Sequence, residues 1–362
     1  MTTDDRARPL SERVPAPAEL PPLPAGTAEH PVRWRPLRRR DARALHRLQL
    51  AAGRIDHPEE EIGERALAEA LRDPRFTPAR DGVIGLAPDG SVVAVATASL
   101  SEDPGGTTVA GADPHIVVSL DGTVHPAYRG RGIGRALLDW QSARGMQLLA
   151  TSRSLLPGML AVGSREACVP NTALFAAGGF APVRWWCSLR REVGEPVPRQ
   201  ELPQGMRVTR FRRRYSEPTR VALNDAFRDH WGFAPISRTE WRGLGAASGF
   251  APGLSRLVVT GRGTRRKPFR VEAFALTAIN RRDWRLSGSR FGYLETVGVA
   301  PARRGQGLAR VVIAEALRAY RRRGLEHAVL DVDSADPNGE LGVYERLGFT
   351  ERDRAVMYAR RF

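Results

Sequence analysis

The same glycine-rich phrase occurs twice in this chain of 362 residues. One copy lies in residues 124–138 and the other in residues 297–310, and both fit Val-x-Pro-x-x-Arg-Gly-x-Gly-[Ile/Leu]-[Gly/Ala]. In each copy an apolar segment typical of a β-strand precedes the glycines, and a helical segment follows them. The first amides of a helix have no partners within the helix, so each copy predicts a site for a phosphate group.

An ordinary strand–turn–helix corner explains one glycine pair equally well, but the distance between the copies favours a duplication. Arg129 and Arg304 are 175 positions apart, and so are Asp41 and Ser216, which stand at the starts of predicted helices. Both halves show the order strand, helices, strands, glycine loop and helix. Two spans with one offset predict a tandem repeat.

The chain is long enough for two domains that each bury a core. We predict a disordered tail over residues 1–30, which are rich in Pro, Ala, Glu and Arg and show no apolar period. An N-terminal domain then covers residues 31–191, and a proline-containing linker covers residues 192–205. A C-terminal domain covers residues 206–362.

The phrase Arg-x-x-Gly-x-Gly/Ala after a strand resembles the acetyl-CoA pyrophosphate loop of the GNAT N-acetyltransferases. The duplication resembles the tandem acetyltransferases of actinobacteria, of which mycothiol synthase-like proteins are one group. The resemblance implies an α/β (α+β) fold of two tandem GNAT domains, each with a mixed, mostly antiparallel twisted sheet flanked by helices. It also implies acetyl-CoA (coenzyme A) as cofactor, held in the first half by Val124, Arg129, Gly130, Arg131, Gly132, Ile133 and Gly134, and in the second half by Val297, Gly298, Val299, Arg304, Gly305, Gln306, Gly307, Leu308 and Ala309.

Tyr344 lies in the phrase Tyr-x-x-x-Gly-Phe, which resembles a signature near the C-terminal end of GNAT proteins. The resemblance implies that Tyr344 protonates the departing thiolate, and the alternative is a core tyrosine on an amphipathic helix. The equivalent stretch of the first half has Phe175, which has no proton to donate. We therefore expect a catalytic C-terminal domain and a catalytically degenerate N-terminal domain.

Glu295 lies on the strand that enters the second loop, where the resemblance implies a carboxylate that accepts the amine's proton directly or through water. Strand alternation predicts that Glu295, Val297 and Val299 share one face. In the first half we place Leu120 at the corresponding position, with Asp121 displaced by one residue. An ion pair with one of the many arginines is the alternative role for Glu295.

Two parts of the predicted site are less well defined. Asn338 or Asp336 is the candidate for a side chain that contacts the CoA arm, and a turn built on Pro337 and Gly339 is the alternative. The acceptor pocket is predicted at three neighbours that combine charge, a titratable ring and an aromatic wall: Asp229, His230 and Trp231. Packing of a helix end explains the same three residues equally well.

The net charge of +16 comes almost wholly from arginine, because Lys267 is the single lysine. Such a field attracts the phosphates of CoA and also nucleic acid. Arginine in place of lysine, with abundant Ala, Gly and Pro, is also typical of a GC-rich genome. The charge alone therefore does not predict a nucleic-acid partner.

The two cysteines, Cys168 and Cys187, provide neither a disulfide framework nor metal-ligand spacing, so we predict no metal site. No apolar run approaches the roughly 20 residues of a membrane-spanning helix. The N-terminus also lacks the apolar core of a signal peptide. We expect a cytoplasmic protein with no membrane partner.

Together these features predict an N-acetyltransferase that moves the acetyl group of acetyl-CoA to the primary amine of a small molecule. Because no nucleophilic Cys or Ser motif indicates a covalent intermediate, direct attack in a ternary complex is expected. Two alternatives stay open: a transferase with a protein or RNA acceptor, and a CoA-binding protein without turnover. The oligomeric state also stays open, although a duplication can replace a dimer.

Overall fold

The computed structural model describes residues 8–57, 63–101, 107–109, 112–228, 235–246, 249–333 and 340–362. The chain divides into two units, of which the first comprises residues up to Arg184 together with Ala355–Phe362. The second unit comprises Trp185–Arg354. Each unit is treated by itself below.

The elements of the first half of the chain begin with a short helix and end with a long strand. In chain order they are α1 Leu10–Arg13, β1 Arg33–Pro36, α2 Ala42–Asp56, α3 Glu64–Ala70, α4 Pro78–Asp81, β2 Gly82–Leu86, β3 Val92–Ser101, β4 Thr107–Val109, β5 Ala112–Val124, α5 Ile133–Leu149, β6 Gly158–Arg165, α6 Val169–Ala177 and β7 Ala181–Glu192.

In the described ranges the second half repeats most of this order: it has no counterparts of α1, α4 and β4, and it adds a helix before the strand that enters the glycine loop. Its elements are β8 Arg207–Arg210, α7 Ser216–Ala226, α8 Arg238–Ala246, β9 Arg256–Thr260, β10 Arg270–Ala278, α9 Arg281–Ser287, β11 Phe291–Val299, α10 Leu308–Arg322, β12 His327–Asp333, α11 Glu340–Glu345 and β13 Thr350–Arg361.

Each unit contains one mixed sheet. In the first unit the strand order is β1-β2-β3-β5-β6-β13, with β4 beside β5, and only the β5–β6 pair is parallel among the described strands. In the second unit the order is β8-β9-β10-β11-β12-β7, and β11–β12 is the parallel pair. These sheets and their flanking helices confirm the predicted α/β (α+β) fold with a mostly antiparallel sheet in each half.

The two sequence repeats exchange their last strands. Residues of β7 from Trp186 to Glu192 pair with β12 in the second unit, although β7 ends the first sequence repeat. Conversely, Ala355–Arg361 of β13 pair with β6 in the first unit, although β13 ends the chain. The predicted bounds of 31–191 and 206–362 therefore describe the sequence repeats, and their status as separately folding domains stays a prediction.

The helix that follows each glycine loop covers one face of its sheet. α10 carries apolar residues at helical spacing, and it buries Leu308, Val312, Leu317 and Tyr320 in one cluster with strand residues such as Leu330. In the first unit Ile133, Leu137 and Trp140 of α5 form the equivalent cluster with β2 and β3. This burial holds the N-terminus of each helix at the end of the strand that precedes it.

The expectation of a disordered tail over residues 1–30 is wrong for residues 8–30. Leu10 is fully buried, and its amide donates a hydrogen bond to the carbonyl of Ser154. Arg13 donates to the carbonyls of Leu155 and Leu156. A few apolar anchors order this segment against the rest of the first unit, and so few anchors do not produce an apolar period in the sequence.

The predicted linker, residues 192–205, lies within the second unit. Val193 is buried, and Val197 and Leu202 pack against the same core cluster as α10. Arg318 of α10 also donates a hydrogen bond to the carbonyl of Pro198. This segment therefore adds a layer to one core.

None of the helices in the described ranges combines the length and apolar character needed to cross a membrane.

Candidate functional site

The two glycine loops have nearly the same backbone. Gly130 and Gly132 have φ angles of 72° and 77°, and Gly305 and Gly307 have φ angles of 76° and 74°. The second glycine of each loop is the N-cap of the following helix in the left-handed conformation. Only glycine adopts these angles without strain, and at Gly130, Gly132 and Gly305 no protein atom lies within 4 Å of the position of a Cβ. Both loops therefore present an open backbone to a ligand.

The second loop carries three arginines with different partners. Arg303 forms an ion pair with the buried carboxylate of Glu272 at 3.2 Å. Arg304 donates a hydrogen bond to the carbonyl of Ala226 at 2.8 Å, at the C-terminal end of α7. Arg310 is exposed beside Gly307, and within the described ranges it has no ion-pair partner. Arg310 was missed by the sequence reasoning, although it stands three residues into the predicted helix.

The first loop differs in its side chains. Arg129 forms a bidentate ion pair with Asp56 at 2.7 and 2.8 Å. Arg131, whose counterpart is Gln306, folds back and donates to the carbonyls of Ala127 and Arg129. The guanidiniums of this loop are therefore held by the protein, whereas the backbone glycines remain open.

A gap opens between the parallel strands just before each loop. In the second unit, pairing of β11 with β12 stops at Tyr293 and Val329, although the two strands run on to Val299 and Asp333. In the first unit, pairing of β5 with β6 stops at Ser119 and Ala161. Alternate backbone groups of a strand point to the same edge, so the diverging edges offer unpaired amides and carbonyls. Val297, Gly298 and Val299 lie on such an edge.

Glu295 lies at a β-bulge. Thr296 is opposite Leu276 and Leu294 is opposite Thr277, so Glu295 is the extra residue of β11. Its side chain is exposed to solvent, and no hydrogen bond or ion pair to its carboxylate is found in the part of the chain that the structure describes. Nearby protein atoms still displace much of its hydration, and this desolvation raises the pKa of Glu295.

The bulge overturns the prediction that Glu295 shares a face with Val297 and Val299. Leu294 belongs to the buried cluster of α10, and Val297 and Val299 pack against that same cluster. Simple alternation places residues 294 and 297 on opposite faces. Because the extra residue shifts the alternation by one, the period of two cannot be carried across Glu295.

The correspondence of Glu295 with Leu120 is also wrong. β5 pairs with β3 without any register shift between Val117 and Val124. The side chain of Leu120 lies on the α5 side, next to Gly145, just as Leu294 lies on the α10 side. Leu120 therefore matches Leu294, and Asp121 faces the opposite side of the sheet, at the level of the bulge.

Tyr344 is buried on α11, with 7% of its surface exposed. Its ring meets Phe349 edge-on at 5.9 Å, and it belongs to the cluster that contains Leu308 of the second loop. In the first unit Phe175 has the equivalent place on α6, and it contacts the ring of Tyr358 at 5.4 Å. The Tyr358 hydroxyl shares a hydrogen bond with Thr172 Oγ1 at 3.1 Å. No sequence signal indicates this pair, because Tyr358 comes from the last strand of the chain.

Four predicted site residues lie outside the described residues: Asn338, Asp229, His230 and Trp231. In the described ranges no group of three His, Cys, Asp or Glu side chains could hold a metal ion. The cavities among the described residues include two in the first unit. One, of about 550 Å³, lies between α2 and the β2–β3 turn and reaches His125 and Tyr128; the other, of about 170 Å³, is lined by Ser99 and Ser119.

Known proteins resemble the chain over most of its length. The acetyltransferase (GNAT) family pattern matches residues 42–151 and 270–349. The mycothiol acetyltransferase of Thermobispora bispora is 31% identical over 248 residues, which are 66% of this chain and 74% of the relative. The mycothiol acetyltransferase of Streptomyces coelicolor is 28% identical over 298 residues, which are 82% of this chain and 86% of the relative.

Two solved structures share the fold. A GCN5-related N-acetyltransferase from Sphaerobacter thermophilus gives a TM-score of 0.64 at 22% identity, covering 91% of this chain and 95% of that one. A tandem GNAT protein from the clavulanic acid biosynthesis pathway gives 0.60 at 17% identity, covering 91% and 98%. At these identities the likeness concerns the fold alone, and it confirms the tandem arrangement predicted from the two glycine loops.

Proposed function

Because the chain belongs to the acetyltransferase (GNAT) family, as a tandem protein with acetyl-CoA as its acetyl donor, we propose that it acetylates the primary amine of a small molecule in its second unit. The relatives that are 28% and 31% identical are named mycothiol acetyltransferases, which supports a small-molecule acceptor over a protein or RNA. The observation that carries the choice of unit is the bulge, which sets Glu295 beside the diverging strands without a partner in the described chain.

The second glycine loop fits a pyrophosphate. A Cβ at Gly305 would project into open space on the ligand side, and the amides at the start of α10 have no intrahelical partners. Arg310 adds an uncompensated positive charge beside Gly307. We propose that the Gly305–Ala309 backbone and Arg304 hold the CoA diphosphate, while Val297–Val299 hold the pantetheine arm along the open edge of β11. When bound, acetyl-CoA supplies a thioester carbonyl as the electrophile.

Glu295 is proposed as the base. The desolvation that raises the pKa of Glu295 makes its carboxylate a better proton acceptor than a glutamate with the ordinary pKa. An ion pair with arginine, the alternative role, is not found among the described residues. The carboxylate takes a proton from the ammonium form of the acceptor, directly or through one water, and then releases it to solvent.

Tyr344 is proposed as the acid that protonates the thiolate from its hydroxyl, and the proton that the acceptor nitrogen loses as the amide forms restores the phenol. Its place on α11, in the same cluster as Leu308 at the start of α10, supports this role. An amide of the open β11 edge, which we assign to Val297, donates a hydrogen bond to the oxyanion. Direct attack in a ternary complex needs no covalent enzyme intermediate. Both cysteines are free thiols, which supports our proposal of a reducing, cytoplasmic compartment.

The test compares Glu295→Gln and Tyr344→Phe in the full chain. Each variant is expected to lower kcat about 100-fold or more, the usual range for losing one acid or base. Calorimetry should show an unchanged Kd for CoA, because neither group is assigned to the diphosphate. Glu345→Gln, an exposed neighbour of Tyr344, is the matched control and should keep full turnover. Unchanged turnover in either test variant removes that residue from the mechanism.

A further inference from the structure

The smaller cavity of the first unit is polar. It encloses about 170 Å³ and is lined by Asp73, Arg75, Phe76, Ser99, Leu100 and Ser119. Ser99 and Ser119 are directly opposite each other on β3 and β5. Asp73 and Arg75 form an ion pair at 2.8 Å on the loop above them. Two hydroxyls and a balanced ion pair suit a small hydroxylated molecule rather than an apolar one.

Asp121 lies beside this cavity. It follows Ser119 by two residues on the same face of β5, which places it about 7 Å further along the strand. Within the described ranges no hydrogen bond or ion pair engages its carboxylate, although its backbone carbonyl accepts from Gln141. Desolvation raises the pKa of Asp121, as it does for Glu295. A ligand that extends from the cavity along β5 therefore brings its amine to a carboxylate with no ion-pair partner among the described residues.

Asp121 also lies at the gap between the parallel strands. The β5–β6 pairing ends at Ser119 and Ala161, so Asp121 comes just past the divergence. The open first glycine loop follows at Gly130 and Gly132. The order of carboxylate, strand gap and glycine loop is the same as the order around Glu295.

A hydroxyl is present on the other side of the gap. Phe175 has no proton to give, but Tyr358 packs against it at 5.4 Å and its hydroxyl is held by Thr172. Tyr358 is opposite Val162 on β6, one residue past the last pair with β5. The exchanged strand thus brings a phenol to the place where the first sequence repeat lacks one.

We propose that the first unit is a second acetyl-transfer site for a small hydroxylated primary amine, with Asp121 as the base and Tyr358 as the acid. This proposal rests on the proposed function only in taking acetyl-CoA as the acetyl donor. The amine nitrogen forms a bond to the acetyl carbon, and the carbon–sulfur bond breaks. The acceptor enters as its ammonium form, and before the attack one of its three protons passes to Asp121 and on to water. The thiolate takes the proton of Tyr358, which the second amine proton restores through water.

The experiment uses the full chain with Glu295→Gln and Tyr344→Phe as the background. Glucosamine and 2-amino-1,3-propanediol are the probes, and acetylated product is measured by mass spectrometry. Saturation-transfer NMR without acetyl-CoA measures amine binding independently of turnover. The background protein should bind and acetylate at least one probe. Adding Asp121→Asn should weaken binding and cut the residual transfer about 100-fold, and Tyr358→Phe should cut transfer while binding persists.

Asp89→Asn, an exposed carboxylate in the β2–β3 turn, is the matched control and should change neither readout. The inference is overturned if the background neither binds nor acetylates the probes, or if Asp121→Asn leaves both values unchanged. Failure of the proposed function gives another result. The Glu295→Gln, Tyr344→Phe protein then keeps full wild-type turnover, and adding Asp121→Asn removes that turnover. Thermal melting of every variant separates these outcomes from misfolding.

Discussion

Gly305→Ala tests the loop that is proposed to hold the CoA diphosphate. Gly305 has φ +76°, and no protein atom lies within 4 Å of the added methyl group. An alanine in the left-handed region costs about 1–2 kcal/mol of folding stability. The methyl group also occupies the space in which a diphosphate approaches the backbone, so at least one amide–phosphate hydrogen bond is lost. Such a bond to a charged group contributes about 1.5–3 kcal/mol, which corresponds to about a 10- to 150-fold weaker Kd.

Gly90→Ala is the matched control for this experiment. Gly90 has φ +82° and equally open space around its Cβ position, but it lies in the β2–β3 turn of the first unit. Both variants should lose the same 1–2 kcal/mol in denaturant unfolding. Only Gly305→Ala should weaken CoA binding in calorimetry. Gly130→Ala is the counterpart in the first loop, and each loop variant should weaken one of two binding steps. If Gly305→Ala binds CoA as tightly as Gly90→Ala does, the loop does not hold the diphosphate.

Further predictions concern pH and stability. Because desolvation raises the pKa of Glu295, turnover should fall on acidification at a higher pH than a glutamate with the ordinary pKa gives. The pH–rate profile of Glu295→Gln should lack this acidic limb. The folded state binds the proton of Glu295 more tightly than the unfolded state does, so the contribution of Glu295 to stability falls as the pH rises through its raised pKa. Glu295→Gln should therefore raise the Tm at pH 7. A lower Tm argues against a desolvated carboxylate. Leu10→Ala removes a fully buried side chain and should cost about 2–5 kcal/mol in denaturant unfolding, whereas Ile55→Ala, at a position that is 65% exposed, should stay within about 0.5 kcal/mol.

The two glycine loops show which features of this protein can be predicted from local sequence. Their glycines, the strand before them and the helix after them are neighbours in the chain, and the left-handed angles follow from the absence of a Cβ. The pattern alone was therefore sufficient to predict the duplication, the tandem fold and the acetyl-CoA family. The predicted roles of Tyr344 and Glu295 rest on motifs of the same local kind and stay predictions.

The tertiary structure decided what depends on partners that are distant in sequence. A bulge is an irregularity in the pairing of two strands. That Glu295 does not share a face with Val297 therefore becomes evident only from the pairing of β11 with β10. The exchange of β7 and β13 likewise depends on the pairing of each strand with one of two similar partners, β6 or β12. The hydrophobic period of a repeated sequence is the same for both pairings and does not predict which one forms. That choice brings Tyr358 to Phe175, the position at which the first repeat lacks a tyrosine. The sequence by itself determined the fold and, through the family resemblance, the cofactor, because those signals are local. Strand pairing decided which carboxylates and hydroxyls lie beside the strand gaps, because those positions depend on residues far apart in the chain.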